Sequence, residues 1–355
     1  MNVDLAFEGG GTKGIAHAGA VQALEEANIT IRRSVGASAG AIAALLVQLG
    51  YSSAQMLDLL TERVHNQSRF YSFFDTPERF PKEVLDSSLL MQELRANDIP
   101  LVPEAIESRI DKLIIKCFLQ GKLFRQFFSL IECGGLFAGA TFVEWLEKSL
   151  QQRGYRKDTT LVELPNLSVV VADITARERL VLNAHTAPHV PVAWAVRASM
   201  SIPLLWQSVR WLDEWGTYLG RNMTGHELVD GGLCSDFPLR LLVEPCVEMA
   251  ECSAVPVIGL LLDEELALPN AHKQAELCHP LKRVQNIVET LLEGNDRSTL
   301  KTYEQNVCRL PCQGYGTLED VQGDELKALC TAARRATREH CKKRPDLESK
   351  TECKH

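Results

Sequence analysis

One pentapeptide, Gly36-Ala37-Ser38-Ala39-Gly40, sets a serine between two pairs of small residues. The residues before it, 29–35, alternate between apolar and polar side chains, which predicts a strand. The residues after it, 41–49, are small and aliphatic and stop at Gly50, which predicts a buried helix. The pattern therefore predicts a strand, a tight turn and a helix, with the serine on the turn.

A serine held on such a turn presents its hydroxyl outward, as a nucleophile does. Gly36 and Gly40 suit the turn because a Cβ would resist its backbone angles and would keep the helix away from its strand. The first amides of the helix, beginning with Ala39, can stabilise negative charge that develops beside Ser38. The same pattern also arises by chance in a helix start rich in glycine and alanine, so it needs support from elsewhere in the chain.

A glycine cluster near the N-terminus gives that support. Residues 3–7 predict a buried strand, which runs into Glu8-Gly9-Gly10-Gly11-Thr12-Lys13-Gly14 and then a helix over 15–26. Three consecutive glycines expose several backbone N–H groups in a row, as an oxyanion hole or an anion-binding nest requires. The candidate donors are the amides of Gly9, Gly10, Gly11 and Ala39.

Nucleotide binding is the competing interpretation of this cluster. Gly9, Gly11 and Gly14 also fit the G-x-G-x-x-G pattern of dinucleotide-binding folds. In such a fold the next strand ends near an acid that binds the ribose, whereas here it ends in the serine pentapeptide. A phosphate-binding Walker loop fails as well, because Lys13 is followed by glycine rather than by serine or threonine.

A third cluster offers a base for the serine. Residues 227–230 predict a short strand that ends in Asp230-Gly231-Gly232. A carboxylate at that strand end can accept the Ser38 proton directly, although Asp-Gly-Gly is also a common turn. A Ser-His-Asp triad stays open as an alternative. The histidines considered for it are His185, His189, His226, His272 and His279.

The three clusters, in this order, resemble the patatin-like phospholipase family. A fourth segment, Val196-Arg197-Ala198-Ser199-Met200-Ser201-Ile202-Pro203, resembles that family's Ala-Ser-x-x-x-Pro motif, and the likeness spans residues 5–239. The resemblance implies a Ser38–Asp230 dyad that hydrolyses lipid acyl esters, with Gly10 and Gly11 in the oxyanion hole. Asp236 departs from the pattern, because many relatives have asparagine there. The residues that support the motifs are Lys13, Gly14, Gly36, Gly40, Gly231 and Gly232.

The resemblance also implies an α/β fold, with a mostly parallel sheet between two helical layers. The alternation of elements in the second half agrees, with helices over 142–151, 191–199 and 280–292 and strands over 168–173 and 255–262. Asp173 closes one of these strands and could orient an active-site loop. We expect one domain over residues 1–345 and a disordered tail over 346–355.

Residues 68–135 differ in character and predict a helical, lid-like insertion over the active site. Aromatic residues gather at both ends, and prolines lie between them. The aromatics can form an acyl-chain or bilayer contact, or simply the core of a small helical subdomain. The residues concerned are Phe70, Tyr71, Phe73, Phe74, Pro77, Phe80, Pro81, Pro100, Pro103, Phe118, Phe124, Phe127 and Phe128.

Composition limits the partners and the compartment. The 355 residues carry a net charge of −8, which argues against nucleic acid and against broad adhesion to anionic bilayers. There is no run of about 18 apolar residues and no leader pattern, so we expect a cytoplasmic protein that contacts membranes transiently at their surface. The 11 cysteines lack disulfide spacing, and a zinc site at Cys308, Cys312, His340 and Cys341 is the weaker interpretation. We predict no metal and no cofactor.

Two hypotheses of different classes follow. The first is a serine lipid acyl hydrolase, a phospholipase A or lysophospholipase, acting on phospholipid or another acyl lipid. The second is a patatin-shaped binding or regulatory protein whose dyad does not turn substrate over. The sequence leaves open the headgroup, the acyl chain, the oligomeric state and any activator. A basic run near the C-terminus could meet anionic headgroups or be an ordinary solvated helix face. It comprises Arg334, Arg335, Arg338, Lys342, Lys343 and Arg344.

Overall fold

The computed structural model describes residues 1–64, 67–96, 121–264, 266, 297–315 and 323–347. Within these residues, eight strands form a central sheet and six form small two-stranded sheets. In chain order the strands are β1 (Asn2–Phe7), β2 (Thr30–Ala37), β3 (Arg63–Val64), β4 (Gln67–Ser68), β5 (Gly135–Phe137), β6 (Leu167–Asp173), β7 (Glu178–Asn183), β8 (Leu204–Trp206), β9 (Val209–Arg210), β10 (Thr217–Tyr218), β11 (Arg221–Asn222), β12 (Glu227–Asp230), β13 (Val257–Asp263) and β14 (Val307–Pro311).

The helices alternate with the strands of the sheet, as the sequence predicts. They are α1 (Ala16–Glu26), α2 (Ala39–Gln48), α3 (Ser53–Thr61), α4 (Lys82–Ser87), α5 (Leu89–Ala96), α6 (Lys122–Cys133), α7 (Ala140–Gln152), α8 (Val192–Ser199), α9 (Arg240–Val243), α10 (Arg297–Thr302) and α11 (Gly323–Lys342). A 3₁₀ turn over Gly11–Ile15 precedes α1, and another covers Phe70–Phe73. The helix predicted over 280–292 lies outside the described residues.

The central sheet is mixed, with its parallel strands in the majority. Its order is β14-β13-β1-β2-β6-β12-β9, with β7 paired to β6 as well. The five strands from β14 to β6 run parallel, whereas β12, β9 and β7 pair antiparallel. The predicted α/β fold with a mostly parallel sheet is therefore confirmed, and the antiparallel strands lie together on one side of the sheet. The antiparallel half has short connections, which parallel pairing does not permit.

Both faces of the sheet are covered, which makes three layers. Along β6, Val169 and Val171 face one hydrophobic core, and Val170 faces the other. The larger core contains buried residues of α1, α2, α7, α8 and α11, and the smaller one contains residues of α9. Strands covered on both faces read as continuous apolar runs, and this explains why β6 and β13 are buried along their whole length.

The aromatic residues of the insertion divide between two environments. Phe73 packs against Phe142 and Trp145 in the main core, whereas Phe124 and Phe128 form a separate small cluster with Met91. The small cluster agrees with the interpretation of a helical subdomain core, whereas a role in acyl-chain or bilayer contact stays a prediction. Residues 97–120, with Pro100, Pro103 and Phe118, lie outside the described residues, as do 348–355. The division into a domain over 1–345 and a tail from 346 stays a prediction.

The basic run, which begins on α11 and ends just beyond it, takes part in ion pairs on its own molecule. Arg334 and Arg338 both bind Glu26 of α1, at 2.5 and 2.6 Å. Arg344 binds Asp346 and the carbonyl oxygen of Val257. These contacts favour the interpretation of an ordinary helix face. None of the helices that the structure describes is long and apolar enough to cross a bilayer.

Candidate active site

Ser38 lies on the turn between β2 and α2, as predicted. Its backbone angles are φ 50° and ψ −126°, a conformation that residues with side chains rarely adopt. Close packing enforces the turn, because a Cβ on Gly36 would lie 2.2 Å from the carbonyl oxygen of Gly40, and one on Gly40 would lie 2.3 Å from that of Phe7. Only glycine fits at either position. Backbone strain of this kind is typical of functional sites.

Asp230 is the direct partner of the serine hydroxyl. Ser38 Oγ donates a hydrogen bond to Asp230 Oδ2 over 2.8 Å, and Asp230 Oδ1 accepts the N–H of Gly232, also at 2.8 Å. Asp230 is only 1% exposed. Burial raises the pKa of Asp230 to about 7, although the hydrogen bonds from Gly232 and Ser38 oppose the shift. A carboxyl group with this pKa can both accept and return a proton near neutral pH.

The register of β6 brings these two residues together. One edge of β6 pairs with β7 from Ser168 to Asp173. Along the other edge of β6, first β2 and then β12 is hydrogen-bonded. Ala37 of β2 pairs with Val170, and Asp230 of β12 pairs with Val171, the next residue. Since β2 runs parallel to β6 and β12 runs antiparallel, their carboxyl ends meet on adjacent residues. The serine after β2 therefore faces the last residue of β12.

Two residues of the Val196–Pro203 segment contact the serine without having been assigned a role from sequence. Ser199 Oγ accepts the Ser38 N–H at 2.9 Å and donates to the carbonyl oxygen of Val170 at 2.7 Å. The sulfur of Met200 lies 3.9 Å from Ser38 Oγ. The likeness to the Ala-Ser-x-x-x-Pro motif marked this segment but assigned no contact, since two residues 161 positions apart in the chain share no local pattern.

Ser199→Ala should lower the free energy of unfolding by roughly 1–3 kcal/mol, because it leaves the buried N–H of Ser38 without an acceptor. Urea unfolding followed by circular dichroism measures this loss. Ser87→Ala is the matched control, since Ser87 is an exposed serine whose hydroxyl contacts the carbonyl oxygen of Val84. That control should shift the free energy by less than about 0.5 kcal/mol. Equal stability of the two variants would contradict the assigned role.

The glycine loop, defined as residues 9–14, runs beside the serine. A Cβ on Gly9 would lie 3.1 Å from Ser38 Cβ, and one on Gly14 would lie 2.7 Å from Ala39 Cβ. The Gly9 N–H donates to the carbonyl oxygen of Asp236 at 3.0 Å, which takes Gly9 out of the predicted set of oxyanion donors. Among the described residues, no acceptor pairs with the N–H groups of Gly10, Gly11 and Ala39. These three amides remain candidates.

Two charged residues, Lys13 within the glycine loop and Asp236 beside it, lie in close packing there. Lys13 is buried and its ammonium group pairs with Glu264. The Asp236 carboxylate packs against Gly9, since a Cβ there would lie 1.9 Å from Asp236 Oδ1. An acid thus stands close to the loop at the position where the resemblance leads us to expect asparagine.

The described histidines take no direct part in the serine contact. His226 Nδ1 lies 2.7 Å from Asp173 Oδ2, and Asp173 Oδ1 accepts the N–H groups of Thr175 and Ala176. Asp173 therefore orders the turn after β6 and the start of β12. Because Ser38 Oγ contacts Asp230 without an intervening imidazole, the geometry favours a dyad over a triad that uses His226. His272 and His279 lie outside the described residues.

A cavity of about 420 Å³ opens next to the serine turn. The glycine loop, Ala39 and Met200 form the wall nearest to Ser38. Apolar side chains from α2, α3, α11 and the Phe70–Phe73 turn line most of the remainder, and a few charged residues line its other parts. The apolar residues include Ile42, Leu57, Leu60, Phe70, Phe73 and Leu326, and the charged ones are Asp58, Arg63, Arg69 and Lys327.

Within the described part of the chain, no cluster of three or more His, Cys, Asp or Glu side chains is arranged to hold a metal ion. Cys308 and Cys312 are buried and free, and the Cys308 thiol contacts the hydroxyl of Thr337 at 3.5 Å. Burial raises the pKa of both thiols to about 12, which disfavours the thiolate form that zinc binds.

A strained nucleophile turn that carries a serine beside a buried carboxylate defines a hydrolase-like α/β protein. Residues 5–243 match the family model described as patatin-like phospholipase. The chain belongs to the patatin-like phospholipase family.

Several known proteins resemble the whole chain. The uncharacterized protein YqhO of Bacillus subtilis (strain 168) is 28% identical over 325 residues, which cover 88% of each chain. VipD from Legionella pneumophila matches 95% of this chain and 66% of its own, with a TM-score of 0.43 and 17% identity. ExoU, solved in complex with SpcU from the type III secretion system of Pseudomonas aeruginosa, matches 98% of this chain at a TM-score of 0.44 and 18% identity. The chain spans 52% of that structure's length.

Proposed function

We propose that this protein hydrolyses the carboxylic esters of phospholipids or lysophospholipids through a Ser38–Asp230 dyad. The observation that carries the proposal is the 2.8 Å hydrogen bond from Ser38 Oγ to Asp230 Oδ2 on a strained strand-to-helix turn. Family membership supports a lipid substrate, and the adjoining apolar cavity supports an acyl chain as the part that enters the protein.

In the proposed mechanism, Asp230 takes part in every proton transfer. As Ser38 Oγ attacks the ester carbonyl carbon, its proton passes to the Asp230 carboxylate. The negative charge that develops on the carbonyl oxygen is stabilised by the N–H groups of Gly10, Gly11 and Ala39. When the intermediate collapses, the leaving alcohol takes the proton from Asp230. Water then attacks the acyl-serine and gives a proton to Asp230, and the second intermediate collapses to the fatty acid as Ser38 Oγ takes that proton back.

We also propose that the enzyme works at the membrane surface from the cytoplasm and needs no metal. Fatty-acid release from vesicles of phosphatidylcholine, with and without lysophosphatidylcholine, tests the substrate class, and the same assay with EDTA tests the metal. Release of fatty acid from either lipid supports the proposal. Stoichiometric lipid binding without any release would favour the alternative, a binding or regulatory protein of the same fold.

The dependence of activity on pH follows from the pKa of Asp230. Because Asp230 has to be ionised to accept the serine proton, and burial raises its pKa to about 7, kcat/KM should rise with pH and level off above about 7. Below that value the slope should approach tenfold per pH unit. A soluble short-chain ester assayed from pH 5 to 9 measures the profile, with circular dichroism at each pH to verify folding. A profile that is flat between pH 5 and 8 would contradict the assignment of Asp230 as base.

A further inference from the structure

One buried titratable residue has no part in the proposed chemistry. His17 lies on α1 and is fully buried. Its ring meets the Phe7 ring edge-on, with 5.3 Å between the two ring centroids. Its Nε2 lies 2.9 Å from the carbonyl oxygen of Glu8, the residue immediately before the glycine loop. Because a carbonyl oxygen only accepts, Nε2 has to carry the hydrogen, and the imidazole is the neutral tautomer with its lone pair on Nδ1. Burial lowers the pKa of His17 to about 4, so this neutral form persists at physiological pH.

The Glu8 carbonyl is held from two sides. His17 donates to it, and the backbone of Gly40 packs so close that a Cβ there would lie 2.6 Å from the same oxygen. The Glu8 N–H donates in turn to the carbonyl oxygen of Leu260 at 3.2 Å. The Glu8–Gly9 peptide that enters the glycine loop is thus held at its carbonyl oxygen by His17 and at its N–H by the Asp236 carbonyl oxygen, and β13 holds the peptide before it.

Of the next two peptides, Gly9–Gly10 and Gly10–Gly11, the second is held by a backbone hydrogen bond from the Lys13 N–H to the Gly10 carbonyl oxygen, at 3.2 Å. Gly10 and Gly11 have φ of 150° and 57°, which glycine reaches without strain, so a peptide flip in this loop meets little steric resistance. A flip would point a carbonyl oxygen, instead of an N–H, toward the position where the oxyanion develops. The Glu8–Gly9 peptide before them is held at its N–H by the Asp236 carbonyl oxygen, at 3.0 Å.

We propose that His17 is a positioning residue, which holds the Glu8 carbonyl so that the amides of Gly10 and Gly11 face the nucleophile. The inference rests on the proposed function, because it assigns those amides to the oxyanion hole. His17 itself touches no reacting atom. It acts through the backbone of the loop, by removing the alternative peptide orientations that glycine would otherwise allow.

The test compares His17→Leu, which fills the space without a donor, with His17→Gln, whose amide nitrogen can occupy the place of Nε2. Two readouts are used: the rate constant for labelling of Ser38 by a fluorophosphonate, and kcat and KM for p-nitrophenyl butyrate. The phosphonyl oxygen enters the oxyanion hole during labelling, so this rate reports on the hole even if no ester is turned over. The matched control is His340→Leu, since burial also lowers the pKa of His340 to about 4 but that residue lies near the end of α11.

We expect His17→Leu to slow labelling by roughly 10- to 100-fold and to lower kcat by a similar factor, with KM within about threefold of wild type. His17→Gln should recover most of the rate, and His340→Leu should keep it. A His17→Leu rate within twofold of wild type, an equal loss in His340→Leu, or a His17→Gln variant as slow as His17→Leu would each overturn the proposal.

A folding defect is separated from a positioning defect by a further variant. If His17→Leu does not fold, His17→Asn replaces it, because its amide is too short to reach the Glu8 carbonyl. Labelling by His17→Asn should then be slower than by His17→Gln, and equal rates would overturn the proposal. Wild-type protein that labels at Ser38 but hydrolyses no ester would refute the proposed function alone, since the labelling rates still decide the role of His17.

Discussion

Ser38→Ala should abolish ester hydrolysis, with a loss in kcat on the order of 10⁴-fold or more. The loss is large because the proposed mechanism makes the Ser38 hydroxyl the attacking oxygen, and that hydroxyl lies 2.8 Å from the Asp230 carboxylate, whose pKa suits a base. The fold should persist, since alanine leaves the close contact between Gly36 and Gly40 unchanged. Fatty-acid release from vesicles and the mass of the fluorophosphonate adduct measure the two effects.

Ser34→Ala is the matched control for this variant. Ser34 is a buried serine on the same strand, and its hydroxyl donates to the carbonyl oxygen of Ala44 at 3.0 Å. It should keep its activity within about twofold, apart from a loss of stability of roughly 1 kcal/mol. Turnover or a fluorophosphonate adduct that survives in Ser38→Ala would refute the assignment of the nucleophile.

Asp230→Asn should lower kcat by about 10³-fold, because the amide cannot accept the serine proton. The local geometry should survive the change. The amide oxygen can accept the Gly232 N–H as the aspartate does, and the amide nitrogen can donate to Ser38 Oγ with the direction of that hydrogen bond reversed. Any loss of kcat in this variant is therefore due to the missing base and not to a change in the structure of the site. Steady-state kinetics with a short-chain ester measure the effect.

The same variant should be more stable than wild type at pH 8. Folded Asp230 keeps its proton up to about pH 7, whereas the unfolded residue releases it near pH 3.8. Between these values the folded state binds more protons, so the wild type loses stability as pH rises through the window. The substituted amide does not titrate and has no such loss. The gap in free energy of unfolding between variant and wild type should grow from pH 4 to 7, reach at most roughly 4 kcal/mol, and stay constant above.

Asp4→Asn provides a control of opposite sign. Burial opposes the ionisation of Asp4, but hydrogen bonds from Arg32, Ser253 and Arg33 outweigh it and hold the pKa of Asp4 below 3.8. Its contribution to stability is present above pH 3.8 and disappears as pH falls below it. Asp4→Asn should therefore be less stable than wild type at neutral pH. If Asp230→Asn is destabilised at pH 8 as well, Asp230 is not the costly buried carboxylate that the geometry indicates.

Some of the site is readable from the sequence because it is local. The turn around Ser38 can be predicted from its own five residues, because Gly36 and Gly40 lie four residues apart and their close contact belongs to this one turn. The strand before it and the helix after it appear within two residues of the predicted boundaries, with β2 continuing through Gly36 to Ala37. Hydrophobic pattern and glycine placement suffice for such elements because their causes lie within about ten residues.

Other parts could not be read, because their partners lie far away in the chain. Ser199 supports the Ser38 amide from 161 positions away, and the apolar cavity combines α2 and α3 with residues of α11. Which strands run antiparallel could not be read for a related reason: a short strand such as β12 has the same apolar pattern whichever way it runs. The direction of a strand depends on the neighbouring strand with which it pairs, and the apolar pattern of the sequence does not identify that neighbour.

By itself, the sequence determined the class of fold and the strand–turn–helix unit that carries Ser38, and it offered Asp230 as a candidate base, because each lies in a short motif whose residue types meet a local steric or chemical requirement. Only the tertiary structure decided that these motifs meet. β6 offers adjacent residues on one edge to the ends of β2 and β12, and this pairing closes the 192-residue separation between Ser38 and Asp230 to a hydrogen bond. It also decided the pKa of Asp230, since burial depends on what the whole chain packs around the carboxylate.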